Sequence, residues 1–263
     1  MIAETLITLS LPYADKGSKT VRVYVPAHRE EEMLPVIYMT DGQNLFEKNA
    51  MQYGCWEVRE TVRAVQADGG KGAVIVGIHN DGAPYERGNE LTPADIAPFV
   101  PAEVPEEMKR LLKPAGEVFD DFVLHTVMPA VEARCPVKRD RESTAFCGSS
   151  MGGLECFYTV LRHPDRYAAG GVFSPVFAMY QKPELEEWIR ARAQAPDLPA
   201  LTLYLGGADP MEQQLTPDFQ WVCRVLESCW PSERLTQVIR PEQLHHESAW
   251  KTEFADFLRR FLS

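Results

Sequence analysis

Apolar and polar residues alternate along residues 4–10 and again along Thr20-Val21-Arg22-Val23-Tyr24-Val25-Pro26. Period-two spacing puts every second side chain on one face of an extended strand, so these segments predict an antiparallel pair joined by the polar turn at Asp15 to Ser18. Further along, the pattern changes. Pro35-Val36-Ile37-Tyr38-Met39-Thr40, Ala73-Val74-Ile75-Val76-Gly77-Ile78, Thr144-Ala145-Phe146-Cys147 and Leu201-Thr202-Leu203-Tyr204-Leu205 are nearly continuous apolar runs. Short unbroken runs suit strands covered on both faces, as in a parallel sheet. Helical spacing of three to four lies between and after them: Phe119 to Val131, Leu154 to His163 before Pro164, Leu215 to Leu226, and Trp250 to Phe261. The alternation predicts an α/β fold, a mostly parallel central sheet with antiparallel N-terminal strands and helices on both faces.

Residues 81–116 break the pattern. They carry Pro84, Pro93, Pro98, Pro101, Pro105 and Pro114, too many for the sheet, and predict a long excursion with at most one short helix near Pro105 to Leu112. Loops of this kind often cover a binding site. No composition break or repeat divides the chain, so residues 1–263 are expected to form a single domain. With 45% hydrophobic and 25% charged residues, the chain can bury a real core. Its formal net charge of −11 would repel phosphate backbones and anionic lipid, so neither nucleic acid nor a membrane is an expected partner. No apolar run approaches the roughly 20 residues needed to span a bilayer. The N-terminal Met-Ile-Ala-Glu-Thr lacks the features of a secretion signal, which implies a cytoplasmic protein. Its six cysteines form no C-x-x-C pair, and in a reducing compartment they are simply buried thiols. Association into a homo-oligomer is left open.

The sharpest chemical feature is Gly148-Ser149-Ser150-Met151-Gly152-Gly153, a G-x-S-x-G match between an apolar run and a helical stretch. A nucleophile at the tip of such a strand-to-helix turn needs small neighbours, and the helix N-terminus directs N–H groups and a positive dipole end to the same point. Ser150 is therefore the candidate nucleophile and the Met151 N–H a candidate oxyanion donor. Where a serine follows such a turn, an acid and then a histidine come later in the chain. Asp209, just past the run 201–205, stands where such an acid assembles. An Asp before Pro is also a standard helix cap, and both roles stay open. Glu212 and Asp218 are the reserve candidates. His245 and His246 precede the last helix. His245 belongs to the loop, and is the candidate base. The second oxyanion donor is expected from the loop after residues 35–40, at the Gln43 N–H or a neighbour, with Gly42 allowing the turn. A metal site built from His79, Asn80, Asp81, His245, His246 and Glu247 has no H-E-x-x-H spacing, so no metal and no cofactor is expected.

These residues resemble the esterase D-like branch of the α/β-hydrolases, which includes enterochelin-type, feruloyl and acetyl esterases and S-formylglutathione hydrolase. The resemblance runs from about Thr20 to the C-terminus. Residues 35–46 look like that family's oxyanion strand and loop, which commonly has His where Thr40 stands. Trp56-Glu57-Val58 is similar to its Trp-x-Val, and Arg87-Gly88-Asn89-Glu90-Leu91-Thr92-Pro93 to its Arg-x-x-Glu-(Tyr)-Thr-Pro loop. Residues 148–153 match its elbow, and His245-x-Glu247-x-x-Trp250 is similar to its terminal motif. The family spacing of histidine to tryptophan also selects His245. One departure is Gly206-Gly207, where related chains often carry an acid, and some siderophore esterases work with serine and histidine alone. The resemblance implies the α/β-hydrolase fold and a serine carboxylic-ester hydrolase using Ser150, Asp209 and His245, with Gln43 and Met151 holding the oxyanion. Trp56, Arg87 and Glu90 are candidates for substrate binding, with Tyr85 and Tyr180 beside them. The expected partner is a small acyl, aryl or sugar ester. A siderophore lactone, a thioester and a non-catalytic binding role for the same fold are the alternatives.

Overall fold

The computed structural model describes residues 1–14, 16–47, 54–80, 82, 83, 85–100 and 105–263. Asp15, Asp81, Pro84 and Pro101, singled out above, lie outside the described residues. The strands are β1 (Thr5–Pro12), β2 (Ser18–Val25), β3 (Val36–Met39), β4 (Val74–Ile78), β5 (Thr144–Ser149), β6 (Ala169–Phe173), β7 (Ala200–Leu205) and β8 (Leu235–Ile239). They form one sheet in the order β1-β2-β4-β3-β5-β6-β7-β8. The alternating segments pair antiparallel, Thr5 opposite Val25 and Pro12 opposite Ser18, and β2 pairs antiparallel with β4. Every later pairing is parallel.

The continuous apolar runs are strands buried on both faces, and each face has its own core. Val36, Tyr38, Val74, Val76 and Phe146 join the first core. Their sequence neighbours Ile37, Met39, Ile75, Ala145 and Cys147 join the second. The first is covered by α4 (Gly116–Phe122), α5 (Met128–Glu132), α6 (Met151–Arg162), α7 (Lys182–Arg192) and α8 (Pro210–Cys229). The second is covered by α1 (Val58–Ala67) and α9 (Glu247–Leu262). Among the described residues, no helix is long and apolar enough to cross a membrane.

Two elements depart from the sequence pattern for physical reasons. The helix expected over 119–131 is divided by a wide π turn at Val123–Val127. Pro129 follows it and has no N–H for the carbonyl four residues back, so the regular ladder is broken there. Among the described residues of the excursion there are two short helices, α2 (Glu86–Glu90) and α3 (Glu106–Lys109), where at most one was expected.

The excursion is fastened to the body by polar groups. Lys19 pairs with Glu90, both almost fully buried. Tyr158 of α6 donates to Asp95 (2.9 Å), Tyr180 donates to the Pro93 carbonyl (2.7 Å), and Glu117 accepts the N–H groups of Ala94 and Asp95 (2.6 Å each). Behind them lie two fully buried carboxyls, Asp120 and Glu155. Asp120 contacts His163 Nε2 at 2.7 Å. Among the described residues, Glu155 hydrogen-bonds the Thr159 hydroxyl alone, at 3.5 Å, and its Oε2 has no partner.

Candidate active site

Since β3 to β8 run parallel, the residues that follow β3, β5, β6, β7 and β8 all emerge at one edge of the sheet. Ser150 follows β5 and precedes α6 with φ 59° and ψ −125°, a conformation costly for any residue with a side chain. The turn is held by the Ser150 N–H on the Phe173 carbonyl (2.9 Å) and by the Gly153 and Leu154 N–H groups on the Ser150 carbonyl (3.0 Å each). Gly152 and Gly153, which follow in the first turn of α6, have no room for a side chain. A Cβ on Gly152 would strike the Thr40 hydroxyl, and one on Gly153 would lie 2.6 Å from the Phe173 carbonyl. Ser150 itself is half-buried.

Two neighbouring loops carry the groups expected to serve the serine. The Gly207 and Ala208 N–H groups both donate to the Gln243 carbonyl, at 3.0 and 2.9 Å, which zips the loop after β7 to the loop after β8. His245 stands on the second loop, with its side chain 15% exposed. Its Nδ1 lies 3.2 Å from Glu212 Oε1. Asp209 does not meet the ring. Its carboxylate accepts the His245 backbone N–H (2.5 Å) and the Glu212 backbone N–H (2.9 Å), capping α8. Burial works to raise the Asp209 pKa, but these N–H groups outweigh it and hold the carboxyl below its ordinary range.

Glu212 is fully buried. Its Oε1 also accepts the Ser174 hydroxyl at 2.6 Å, and Ser174 in turn accepts from Trp250 Nε1 at 3.0 Å. Ser174 directly follows β6 in the left-handed region, φ 43°, next to the Phe173 that anchors Ser150. The Trp250 and His245 rings also meet at a near right angle, with centroids 5.0 Å apart. His246 is the N-cap of α9, its Nδ1 accepting the Ser248 N–H at 3.1 Å.

The loop after β3 begins at Asp41, φ 53°, and turns through a 3₁₀ helix at Gly42–Asn44. The Gln43 and Met151 N–H groups donate to no acceptor among the described residues. Arg87 grips Asp41 through both oxygens, at 2.7 and 2.8 Å, and Asn80 Nδ2 adds a third bond. Burial works to raise the Asp41 pKa, and the Arg87 charge and these bonds overcome it, keeping the carboxyl below its ordinary range. At the other end of the turn, Asn44 Nδ2 donates to Glu247 Oε1 at 3.1 Å.

Of the three residues expected to contact substrate, two face inward. Trp56 is 2% exposed and stacks on Phe173 at 5.6 Å, beside Trp250. Glu90 is buried against Lys19. Arg87 keeps about a third of its side chain exposed, but its guanidinium is committed to Asp41. Sequence reasoning missed Ser174 and held Glu212 only as a reserve acid. Asp209-x-x-Glu212 has a capping-box spacing, in which the Glu normally turns back to the cap. Among the described residues, no three His, Cys, Asp or Glu side chains are grouped to hold a metal.

Known proteins share this arrangement of chain. A ferulic acid esterase superposes with a TM-score of 0.67 at 17% identity, covering 99% of this chain and 100% of its own. The enterobactin esterase FES from Shigella flexneri gives 0.74 at 18% identity, over 99% of this chain and 58% of its own. The siderophore hydrolase EstB from Aspergillus nidulans gives 0.67 at 20% identity, over 97% and 94%. In sequence, the uncharacterized protein YbbA of Bacillus subtilis (strain 168) is 21% identical over 267 residues, covering 95% of this chain and 94% of that protein. The model of the esterase family described as "Putative esterase" matches residues 15–261. This chain belongs to that esterase family and has the α/β-hydrolase fold.

Proposed function

We propose that this protein is a serine carboxylic-ester hydrolase with Ser150 as nucleophile, His245 as base and Glu212 as the acid that orients it. The observation that carries the reading is the backbone of Ser150, at φ 59° on a strand-to-helix turn whose positions 148, 152 and 153 leave no room for a side chain. A fold stores strain of this kind where a side chain must be presented. Ser150 Oγ attacks the ester carbonyl, and His245 Nε2 takes its proton. Glu212 accepts from Nδ1–H, fixing the tautomer and favouring the imidazolium as it forms. The Gln43 and Met151 N–H groups receive the tetrahedral oxyanion. Collapse expels the alcohol, which takes its proton from His245. Water, activated by the same histidine, then hydrolyses the acyl-enzyme. Membership in the esterase family, with structural neighbours that are a ferulic acid esterase, an enterobactin esterase and a siderophore hydrolase, supports a small-molecule ester as substrate.

This assigns to Glu212 the role that sequence position alone gave to Asp209. Asp209 instead sets where the His245 backbone lies. The test is hydrolysis of p-nitrophenyl acetate together with fluorophosphonate labelling. Ser150→Ala and His245→Ala are each expected to lower kcat/KM by at least about a thousandfold, as loss of a triad member does elsewhere. His246→Ala is expected to keep most of the activity, since His246 faces Ser248. An active, labelled Ser150→Ala protein would remove the nucleophile assignment.

A further inference from the structure

We infer that Glu247 is a positioning residue that locks the oxyanion loop to the segment carrying the catalytic histidine; this rests on the serine-hydrolase reading above. Glu247 opens α9, two residues after His245. An acidic residue in a helix's first turn is favoured by the helix dipole, but that effect needs no particular partner. Here the side chain is only 7% exposed. Both oxygens are used outside the helix: Oε1 accepts Asn44 Nδ2 and Oε2 accepts the Gly54 N–H, each at 3.1 Å. A carboxylate is held out of water at a cost unless such bonds are made, so its geometry is set by these two donors.

Both bonds end on the oxyanion side of the site. Asn44 adjoins Gln43, whose N–H faces the developing charge in the proposed reaction. The Asn44 backbone closes the turn onto the Asp41 carbonyl and accepts the Trp56 N–H, each at 2.9 Å, so a shift of Asn44 is passed to Gln43. Gly54 lies so close to the start of α9 that a Cβ there would sit 2.6 Å from His246 Cε1 and 2.9 Å from Glu247 Cβ. On the other side, His246 N–H bonds the Leu244 carbonyl and Ala249 N–H bonds His246, so residues 244–249 form one hydrogen-bonded turn with His245 inside it. One carboxylate thus joins the loop that holds the oxyanion to the turn that holds the base.

The experiment measures p-nitrophenyl acetate hydrolysis per active site, with sites counted by exhaustive fluorophosphonate titration. Glu247→Ala is expected to lower kcat per titrated site by roughly 10- to 100-fold, the cost of a small misplacement of catalytic groups. KM should change by less than about threefold, because ground-state binding is not what the contact serves. Glu247→Gln is expected to recover most of the loss. Its amide oxygen can still accept from Gly54, and Asn44 can flip to accept from the new amide N–H. Adding Asn44→Ala to Glu247→Gln should remove that recovery. Normal turnover per site in Glu247→Ala, with fewer titratable sites or lower thermal stability, would overturn the inference and leave Glu247 a structural residue. Failure of the serine reading would show separately, as unlabelled wild-type protein, and would take this inference with it.

Discussion

Asp209 and Glu212 are three residues apart on the first turn of one helix, yet they meet different parts of the same histidine. Asp209 takes the backbone N–H of His245, while Glu212 takes the ring. Glu212→Gln is therefore expected to lower kcat by at least about a hundredfold, since an amide can leave the imidazole in the wrong tautomer. Asp209→Asn keeps a capping oxygen and should cost far less. The same ester assay on both variants checks this, and the reverse ranking would return the acid to Asp209. Sequence could not separate the two. Both follow the strand at 201–205, and Asp-Pro is a strong cap signal. The deciding group is Ser174, whose left-handed backbone and buried hydroxyl hold Glu212 away from the cap. Nothing local in Phe173-Ser174-Pro175 announces that role. Ser150 and His245 were legible because each sits at a boundary that the patterns mark, one between an apolar strand and a helix, the other just before a helix whose apolar face starts at Trp250.

At the level of elements, the strand-to-helix turn is the most tightly constrained. Gly148 and Gly152 back onto each other, and both would meet the Thr40 hydroxyl if they carried a Cβ. Gly152→Ala is expected to lower kcat/KM by at least about a hundredfold, through displacement of the reacting groups, and to reduce thermal stability. Thr40→Ala added to it should restore part of both by removing the nearer clash. Kinetics and melting of the single and double variants test this, and additive losses would mean that Thr40 is not the obstacle. β3, β4, β5 and β7 were readable as unbroken apolar runs and β1 and β2 as alternation, whereas β6, Ala169-Gly170-Gly171-Val172-Phe173, was neither. Its glycines leave room for Val160 and Cys147, which would lie 2.9 and 2.8 Å from added Cβ atoms. A strand shaped to accommodate its neighbours' side chains carries little hydrophobic signal of its own.

Over the whole molecule, a chain of net charge −11 buries acids as well as exposing them. Burial, reinforced by Asp120, Glu117 and Glu90, raises the Glu155 pKa well above its ordinary range, so the folded protein holds a proton there. The unfolded chain releases that proton above about pH 4.3, the value for a free glutamate. The folded state then binds more protons than the unfolded one, and stability falls as pH rises through that window toward the raised folded value. Glu155→Gln removes this term. It should raise the melting temperature relative to wild type, with a gap that widens from pH 5 to pH 8. A gap constant with pH would show that Glu155 is already ionised in the folded protein. Composition and charge gave no hint of this acid, because a glutamate in the middle of an apolar helix face reads in sequence as an exposed position.

The bond from Asn44 to Glu247 spans 203 residues. Synthesis runs from the N-terminus, so the oxyanion loop and the nucleophile turn leave the ribosome long before their fastening does. Closing so long a loop is among the slower events available to a chain of this size. On the proposed assignment, the growing polypeptide carries Ser150 without its base or a fastened Gln43 loop. In the proposed reaction, hydrolytic competence therefore waits until α9 has been made and docked.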